Sequence, residues 1–537
     1  MMVENNFSLL WPDSIRKSFT IGEVALLDLN LTAVMRSVLS ASSHEIPAFM
    51  KTLACDGRTI RYRQALLQEF VSKELLFEQI NHAIMSCYEL QNKGKFAFEK
   101  EATLYNLVMR IGEAGEVMRL IELLLANLKA AQVTSEGLLK LTDLLKEVVL
   151  HPLYESFKTD VETVKNMDEG VKSIKVGVNL DENLKPMTAM LLSLHDQPFS
   201  YTRLLKKTAK VVSHGMTELL SIPRKMFFPD TIQVPQALNS FEKILEPAMK
   251  QLIIFCDKFI DGLVTLLAGL KVEMPFYEIG IKIHKDLVHE GFSLCLPEIN
   301  ESFECSIQGA YNLNLAYELI KKKADHGSLT MVPNDFIMES GGNIMILTGA
   351  NRGGKTTFTQ AIGQIFWLGH LGYYVPAQKA SLCLIDGLFL HFPSEESQTD
   401  QKGRLGDECK RFSEIYEQMT KKSLLLMNES FSGTSHLESL TIAVEVVKAV
   451  KAIGAKALFN THLHELGSMV EAINSAMVGS PKLLSLVAGD ERVHQTFKIQ
   501  EGPPLGQSYA RDIANQYGMT FEQLIGEAEK PLQQSIE

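Results

Sequence analysis

The stretch that decides the fold is Ile344-Met345-Ile346-Leu347-Thr348-Gly349-Ala350-Asn351-Arg352-Gly353-Gly354-Lys355-Thr356-Thr357. An apolar strand enters it, a glycine-rich loop follows, and the pattern predicts a helix leaving from Lys355. Gly349 through Thr356 match G-x-x-x-x-G-K-[ST] with both ends correct. Glycines let backbone N–H groups turn inward around phosphate oxygens, where a bulkier residue would block the approach. Lys355 supplies a point charge for the β- and γ-phosphates, and the Thr356 hydroxyl is suited to ligate Mg²⁺. In this order the phosphates sit at a helix N-terminus, which favours anions. The expected ligands are ATP and Mg²⁺, with Gly349, Ala350, Asn351, Arg352, Gly353, Gly354, Lys355, Thr356 and Thr357 binding the nucleotide.

Two further elements follow downstream. Ser423-Leu424-Leu425-Leu426-Met427-Asn428-Glu429-Ser430 is an apolar strand ending in a polar and acidic pair, suited to hold a Mg²⁺ shell and a hydrolytic water. Glu429 is the candidate general base, and Thr356, Asn428 and Glu429 are the candidate metal-shell residues. A surface glutamate capping a strand has the same local appearance; the loop upstream favours the catalytic reading. In Asn460-Thr461-His462-Leu463-His464-Glu465-Leu466, His462 reads either as a sensor of the γ-phosphate or as a structural histidine, and His464 as structural. Lys355, Glu429 and His462 form the candidate catalytic set.

Around these motifs the chain divides by texture. From Ile21 to about Glu290 the apolar spacing is mostly helical. Leu66-Leu67-x-x-Phe70-Val71-x-x-x-Leu75, Leu104–Leu128 and the run opened by Ser135 are examples, and Gln251–Leu270 reads as a buried amphipathic helix. One interruption, Ser173 to Leu180, a turn at Asp181-Glu182-Asn183, then Met187 to Leu194, reads as an inserted strand, turn and strand. From about Phe292 short apolar runs alternate with helices, the signature of an α/β domain. Strands are expected at Ile344–Thr348, Ser423–Met427 and Ala457–Asn460. The reading is therefore multidomain: a mainly α-helical region, 1–291, with a β-hairpin near 173–194, then an α/β nucleotide-binding domain, 292–537.

Composition bounds the rest. At 537 residues the chain is too long for one core. Its 46% apolar and 22% charged residues are those of a globular protein. No uncharged apolar run reaches the roughly 18 residues a membrane helix needs, and the N-terminus lacks a secretory signal. Seven cysteines without a Cys-x-x-Cys pair suit free thiols in a reducing, cytoplasmic setting. A net charge of −11 argues against a uniformly basic nucleic-acid coat, though not against a local basic face.

Residues Ile346 to Lys379 and Ser423 to Leu466 closely resemble the MutS mismatch-repair ATPases. Thr348 to Thr357 resembles their extended P-loop, and Gly372-Tyr373-Tyr374-Val375-Pro376-Ala377 the segment after its helix. Val332-Pro333-Asn334-Asp335, Gly433-Thr434-Ser435, Thr461-His462 and Gly506-Gln507-Ser508-Tyr509-Ala510 continue the match. Upstream, Asp56-x-x-x-Ile60-x-x-Arg63-Gln64 and the long helices resemble the family's core and lever domains. The resemblance implies an ABC-type P-loop ATPase domain that works as a homodimer. Each site would be completed in trans by a signature segment, here Gly403-Arg404-Leu405-Gly406-Asp407-Glu408, which departs from the usual Ser-Thr-Phe form. Ser340-Gly341-Gly342 resembles a transporter signature only superficially and reads as a turn.

The chain also departs from the family pattern. Asn428 stands where most members carry aspartate, which removes one negative charge and predicts slow hydrolysis. Core-like sequence begins within about 30 residues of Met1, leaving no room for the family's Phe-x-Glu wedge domain, the kind that unstacks a duplex. The only Phe-x-Glu triplets, at Phe276 and Phe412, read as packing, so wedge-type mismatch reading is not expected. A nuclease-like tail of the kind some relatives carry after the ATPase is not expected. DNA contacts, if made, fall to Lys175 in the hairpin and to the basic stretch Lys206, Lys207, Lys210, Arg224 and Lys225; a solvated helix face explains that stretch equally well. Two partners stay open: duplex or branched DNA, or a non-DNA partner such as a ribonucleoprotein.

Overall fold

The structure, a computed structural model, describes residues 7–39, 46–97, 104–165, 173–182, 186–195, 197, 253–323 save 255, 263, 266 and 268, 331–339, 344–350, 353–393, 403–479, 481–491, 494–504, 519 and 523–524. It is a mixture of helices and sheets, the largest sheet built mainly from parallel strands. The chain forms two compact units. One joins Met1–Leu9 to Lys73–Met274, the other Leu10–Ser72 to Pro275–Glu537.

This division does not follow the sequence boundary at 291/292. The stretch 10–72 belongs with the C-terminal unit, and hydrogen bonds explain why. Four side chains of the helix Lys355–Leu371 donate to, or pair with, backbone carbonyls of that stretch. Gln360 reaches Asp28 O at 2.8 Å, Gln364 Leu29 O at 2.8 Å, Trp367 Met50 O at 3.0 Å and His370 Ala54 O at 2.8 Å. Strands β1 (Ser18–Thr20) and β2 (Thr52–Ala54) pair antiparallel beside them. The helix Gly57–Ser72 adds Arg63, 2% exposed, whose Nε donates to Leu10 O while its guanidinium lies 4.4 Å from the Trp11 ring centroid.

The other unit carries the helices Glu74–Ala97, Leu104–Ala130, Glu136–Val149 and Pro152–Lys165. Strands β3 (Ser173–Leu180) and β4 (Pro186–His195) pair antiparallel at the inserted hairpin. Ile253, Cys256, Ile260, Val264, Leu267 and Leu270 are buried at helical spacing. The charges in that segment find partners: buried Arg110 bridges Asp257 and Glu113. One apolar stripe is broken, because the helix stops at Ser72, a new one starts at Glu74, and Leu75 is 67% exposed.

In the C-terminal unit two sheets form around the helix Lys355–Leu371. A four-stranded sheet has the order β5 (Glu298–Asn300), β9 (Lys379–Cys383), β6 (Cys305–Ala310), β7 (Asn334–Met338). A six-stranded sheet has the order β10 (Leu388–His391), β11 (Leu424–Asn428), β12 (Lys456–Asn460), β8 (Ile344–Thr348), β13 (Leu483–Glu491), β14 (His494–Glu501). The first five of these run parallel and only β14 is antiparallel. Every residue of β8, β11 and β12 is buried, as expected for parallel strands covered on both faces.

Among the described residues no helix is long and apolar enough to cross a membrane. No group of three or more potential metal-binding His, Cys, Asp or Glu occurs there either.

Candidate functional site

In open parallel sheets, loops at the carboxyl ends of the strands gather chemistry from distant parts of the chain. Here β8, β11 and β12 lie side by side, and three loops leave their carboxyl ends together. The loop after β8 reaches the helix at Gly354, whose φ of 81° only glycine adopts without strain. A Cβ on Gly349, at φ 137°, would come within 2.9 Å of the Ala488 Cβ. Lys355 is 5% exposed, and its Nζ donates to Gly349 O at 3.0 Å and Ala350 O at 2.9 Å. Burial lowers its pKa, while the nearby Glu429 charge acts in the opposite direction. Asn351 and Arg352 lie outside the described residues.

β11 and β12 pair in register, which sets Asn428 opposite Asn460. Asn428 Oδ1 accepts from Thr356 Oγ1 at 2.9 Å and from Asn460 Nδ2. Glu429 follows in the left-handed region, at φ 48°, its N–H bonded to Asn460 O at 2.8 Å. That turn swings its carboxylate to 2.7 Å from His462 Nε2. The pair is partly exposed and lines a cleft of about 340 Å³ together with Gly353, Gly354, Lys355 and Thr356. Val332, Phe358, Ala361 and Phe497 add apolar lining to the cleft. Thr357 lines it too, and the Thr357 carbonyl accepts from Asn312 Nδ2 at 3.1 Å.

The structure thus brings Lys355, Thr356, Asn428, Glu429 and His462 together. His464 is not among the residues lining the cleft; its buried Nδ1 has no hydrogen-bond partner among the described residues, and burial lowers its pKa. The helix Gly403–Gln418 begins at the expected Gly403. Glu408 is buried within it at 3% exposure, and the side chains of Gly403 and Arg404 are outside the described set. Lys175 is exposed on β3. Lys206, Lys207, Lys210, Arg224, Lys225, Ser340–Gly342 and Gly506–Ala510 lie outside the described residues.

Three residues hold places that the sequence motifs do not assign: Asn460, Asn334 and Phe497. Asn460 opens the motif that contains His462, and in-register pairing with Asn428 gives it a contact in the site. Phe497 and Asn334 are linked through Asn334 Nδ2, which donates to Phe497 O at 3.0 Å and so fixes the β14 segment beside the cleft. Strand pairing this distant leaves no local signal.

The fold and cleft define an α/β protein with a polar site at the carboxyl ends of a parallel sheet. The MutS domain V family matches residues 345–535, and the MutS2 N-terminal domain family matches residues 55–289. The chain belongs to the MutS family. It is similar to the "DNA mismatch repair protein MutS" of Lactobacillus helveticus, 28% identical over 299 residues, 53% of this chain and 34% of that protein. Against the protein of the same name from Halothermothrix orenii it is 22% identical over 526 residues, 92% of this chain and 56% of that one. The matches thus span about a third to a little over half of those relatives' length.

Proposed function

We propose that this chain binds ATP with Mg²⁺, hydrolyses it slowly, and acts as a homodimer whose nucleotide state gates lever and clamp arms around duplex or branched DNA. The observation that carries the reading is the meeting of Lys355, Thr356, Glu429 and His462 on one cleft, with Asn428 bonded to Thr356. Lys355 is poised to exchange its two carbonyl contacts for phosphate oxygens, and an anion beside it favours the charged ammonium that burial disfavours. Gly353, Gly354, Lys355 and Thr356 line the same cleft at a helix N-terminus, which favours an anion. The apolar lining from Val332, Ala361 and Phe497 suits a purine base.

Thr356 Oγ1 and Asn428 Oδ1 are hard oxygen donors that would hold Mg²⁺, which neutralises charge on the transferred phosphate. Glu429 accepts a proton from the attacking water, and His462 fixes its carboxylate through the 2.7 Å bond. Asn428 is neutral, so the shell carries less negative charge than an aspartate would give, and turnover is slow. The start of the helix Gly403–Gln418, with Gly403 and Arg404 leading and Glu408 buried behind them, is the segment proposed to complete the partner's site. Neither Phe276 nor Phe412 serves as a wedge, since both are buried, at 1% and 9% exposure.

Membership of the MutS family and relatives named as DNA mismatch repair proteins support the ATPase and DNA parts of the reading. The test is steady-state ATP hydrolysis with and without homoduplex, mismatched and four-way branched DNA, with Lys355→Ala as the blank. We expect a slow basal rate, lost in the blank, that one DNA form alters. A Lys355→Ala protein that hydrolyses ATP at the parental rate rejects the site. A basal rate that no DNA changes moves the clamp to another partner, such as a ribonucleoprotein.

A further inference from the structure

The turn after β11 holds two non-glycine residues in the left-handed region, Glu429 at φ 48° and Phe431 at φ 63°. Such backbone persists only where its surroundings over-determine it. Asn460 O takes the N–H of Glu429 on one side, and Ser439 Oγ donates to Phe431 O at 2.7 Å on the other. Between them stands Ser430, 3% exposed, whose Oγ lies 2.7 Å from His391 Nδ1 and donates to the His391 backbone oxygen at 2.8 Å.

His391 is itself 1% exposed and touches Ser430 and Phe431 in this turn. Its ring stacks on Phe431, with centroids 5.1 Å apart and planes at 28°, and meets Phe412 edge-on at 5.9 Å. Nδ1 lies 2.7 Å from Ser430 Oγ, and Nε2 lies 3.0 Å from the backbone oxygen of Glu408 in the helix Gly403–Gln418. A carbonyl only accepts, so Nε2 carries the proton, and the one Ser430 hydroxyl proton serves both Nδ1 and the His391 carbonyl oxygen. Burial holds the pKa of His391 down to about 4, which keeps that one-donor, one-acceptor form near neutral pH.

We propose that His391 is a positioning residue: it locks the turn that aims Glu429 and ties that turn to the helix Gly403–Gln418. This rests on the ATPase reading above. A displacement of the helix at Glu408 passes through one imidazole to Ser430 and so to the adjoining peptide of Glu429. Substrate binding does not involve His391, so its loss acts on the chemical step.

The test compares kcat and KM for ATP in the full chain, the His391→Phe, Ser430→Ala, His391→Asn and double His391→Phe/Ser430→Ala variants. Phenylalanine keeps the stack on Phe431 and removes both ring hydrogen bonds, leaving only the bond from Ser430 Oγ to the backbone oxygen at position 391. We expect kcat to fall about tenfold with KM for ATP within about twofold, the sign of an interaction used after binding. Asparagine, whose amide oxygen can take the place of Nδ1, should recover part of that loss. Ser430→Ala should lower kcat in the same way, and the double variant should fall short of the product of the two single effects, because both single changes break the ring-to-hydroxyl link. If His391→Phe does not fold by circular dichroism, the smaller Ser430→Ala change decides alone. Parental kcat in the folded variants, or a KM that rises as much as kcat falls, overturns the proposal. A parental chain without Lys355-dependent hydrolysis overturns the ATPase reading instead.

Discussion

Asn428 gathers two donors on one amide oxygen, the Thr356 hydroxyl and the Asn460 amide. A carboxylate of the same shape accepts both bonds without rearrangement and adds a negative charge beside the proposed cation. Asn428→Asp should therefore fold normally and raise kcat by about three- to tenfold, or roughly 1 kcal/mol off the barrier. Single-turnover hydrolysis at saturating ATP and Mg²⁺ measures this, and an unchanged rate means that the missing charge is not what slows turnover. At this scale Lys355, Thr356, Glu429 and His462 were legible because their chemistry depends on residue type at short spacing. Asn460 and His391 were not. A buried asparagine or histidine looks ordinary until strand register and ring contacts assign its partners.

Among elements, the helix Lys355–Leu371 was the most readable at its start, where the glycine loop hands over to it. Its end is set by Gly372 at φ 86°, with Gly372 N bonded to Gly369 O and Tyr373 N to Leu368 O, a left-handed C-terminal cap. A Cβ there would come 2.8 Å from the Arg63 Cβ and 3.1 Å from Ile60 O. Gly454 caps the helix His436–Ile453 in the same conformation, at φ 84°, yet its nearest atoms would be 3.9 Å away. Both Gly→Ala variants meet the left-handed penalty of about 1–2 kcal/mol, but only Gly372→Ala adds a collision with backbone and a buried stem. Urea unfolding should give a lower midpoint for Gly372→Ala than for Gly454→Ala with unchanged slopes; equal midpoints would show that the close approach relaxes freely. The strand at Ile344–Thr348 was read to the residue, and that at Ser423–Met427 was read one residue early. The stripe ending at Leu75 crosses a helix end because periodicity continues smoothly across Lys73, and side-chain spacing alone does not mark where one helix stops and the next begins.

The whole molecule was the least legible level. Assigning 10–72 to the C-terminal unit rests on side chains that bond backbone carbonyls, at Asp28, Leu29, Met50 and Ala54, and a carbonyl has no sequence signature. Charge is the whole-molecule property that bears most on the proposed partner. A chain of net charge −11 is repelled by nucleic acid at long range, so any grip on DNA must come from a local basic face that releases counterions. Lys206, Lys207, Lys210, Arg224 and Lys225, with exposed Lys175 on the hairpin, are the candidates. If roughly five of them contact phosphates, affinity for duplex or four-way branched DNA should fall about 10²- to 10³-fold between 50 and 200 mM salt. Replacing Lys206, Lys207 and Lys210 by glutamine should then lower the slope of log affinity against log salt by about 3 while leaving basal ATP hydrolysis intact. Fluorescence anisotropy in ADP and in a non-hydrolysable ATP analogue reads both quantities at once, and a gating role requires that the two nucleotides give different affinities. Binding with the parental salt slope after the triple substitution would clear these lysines of phosphate contact; no binding at 50 mM salt in either nucleotide would remove DNA as the partner.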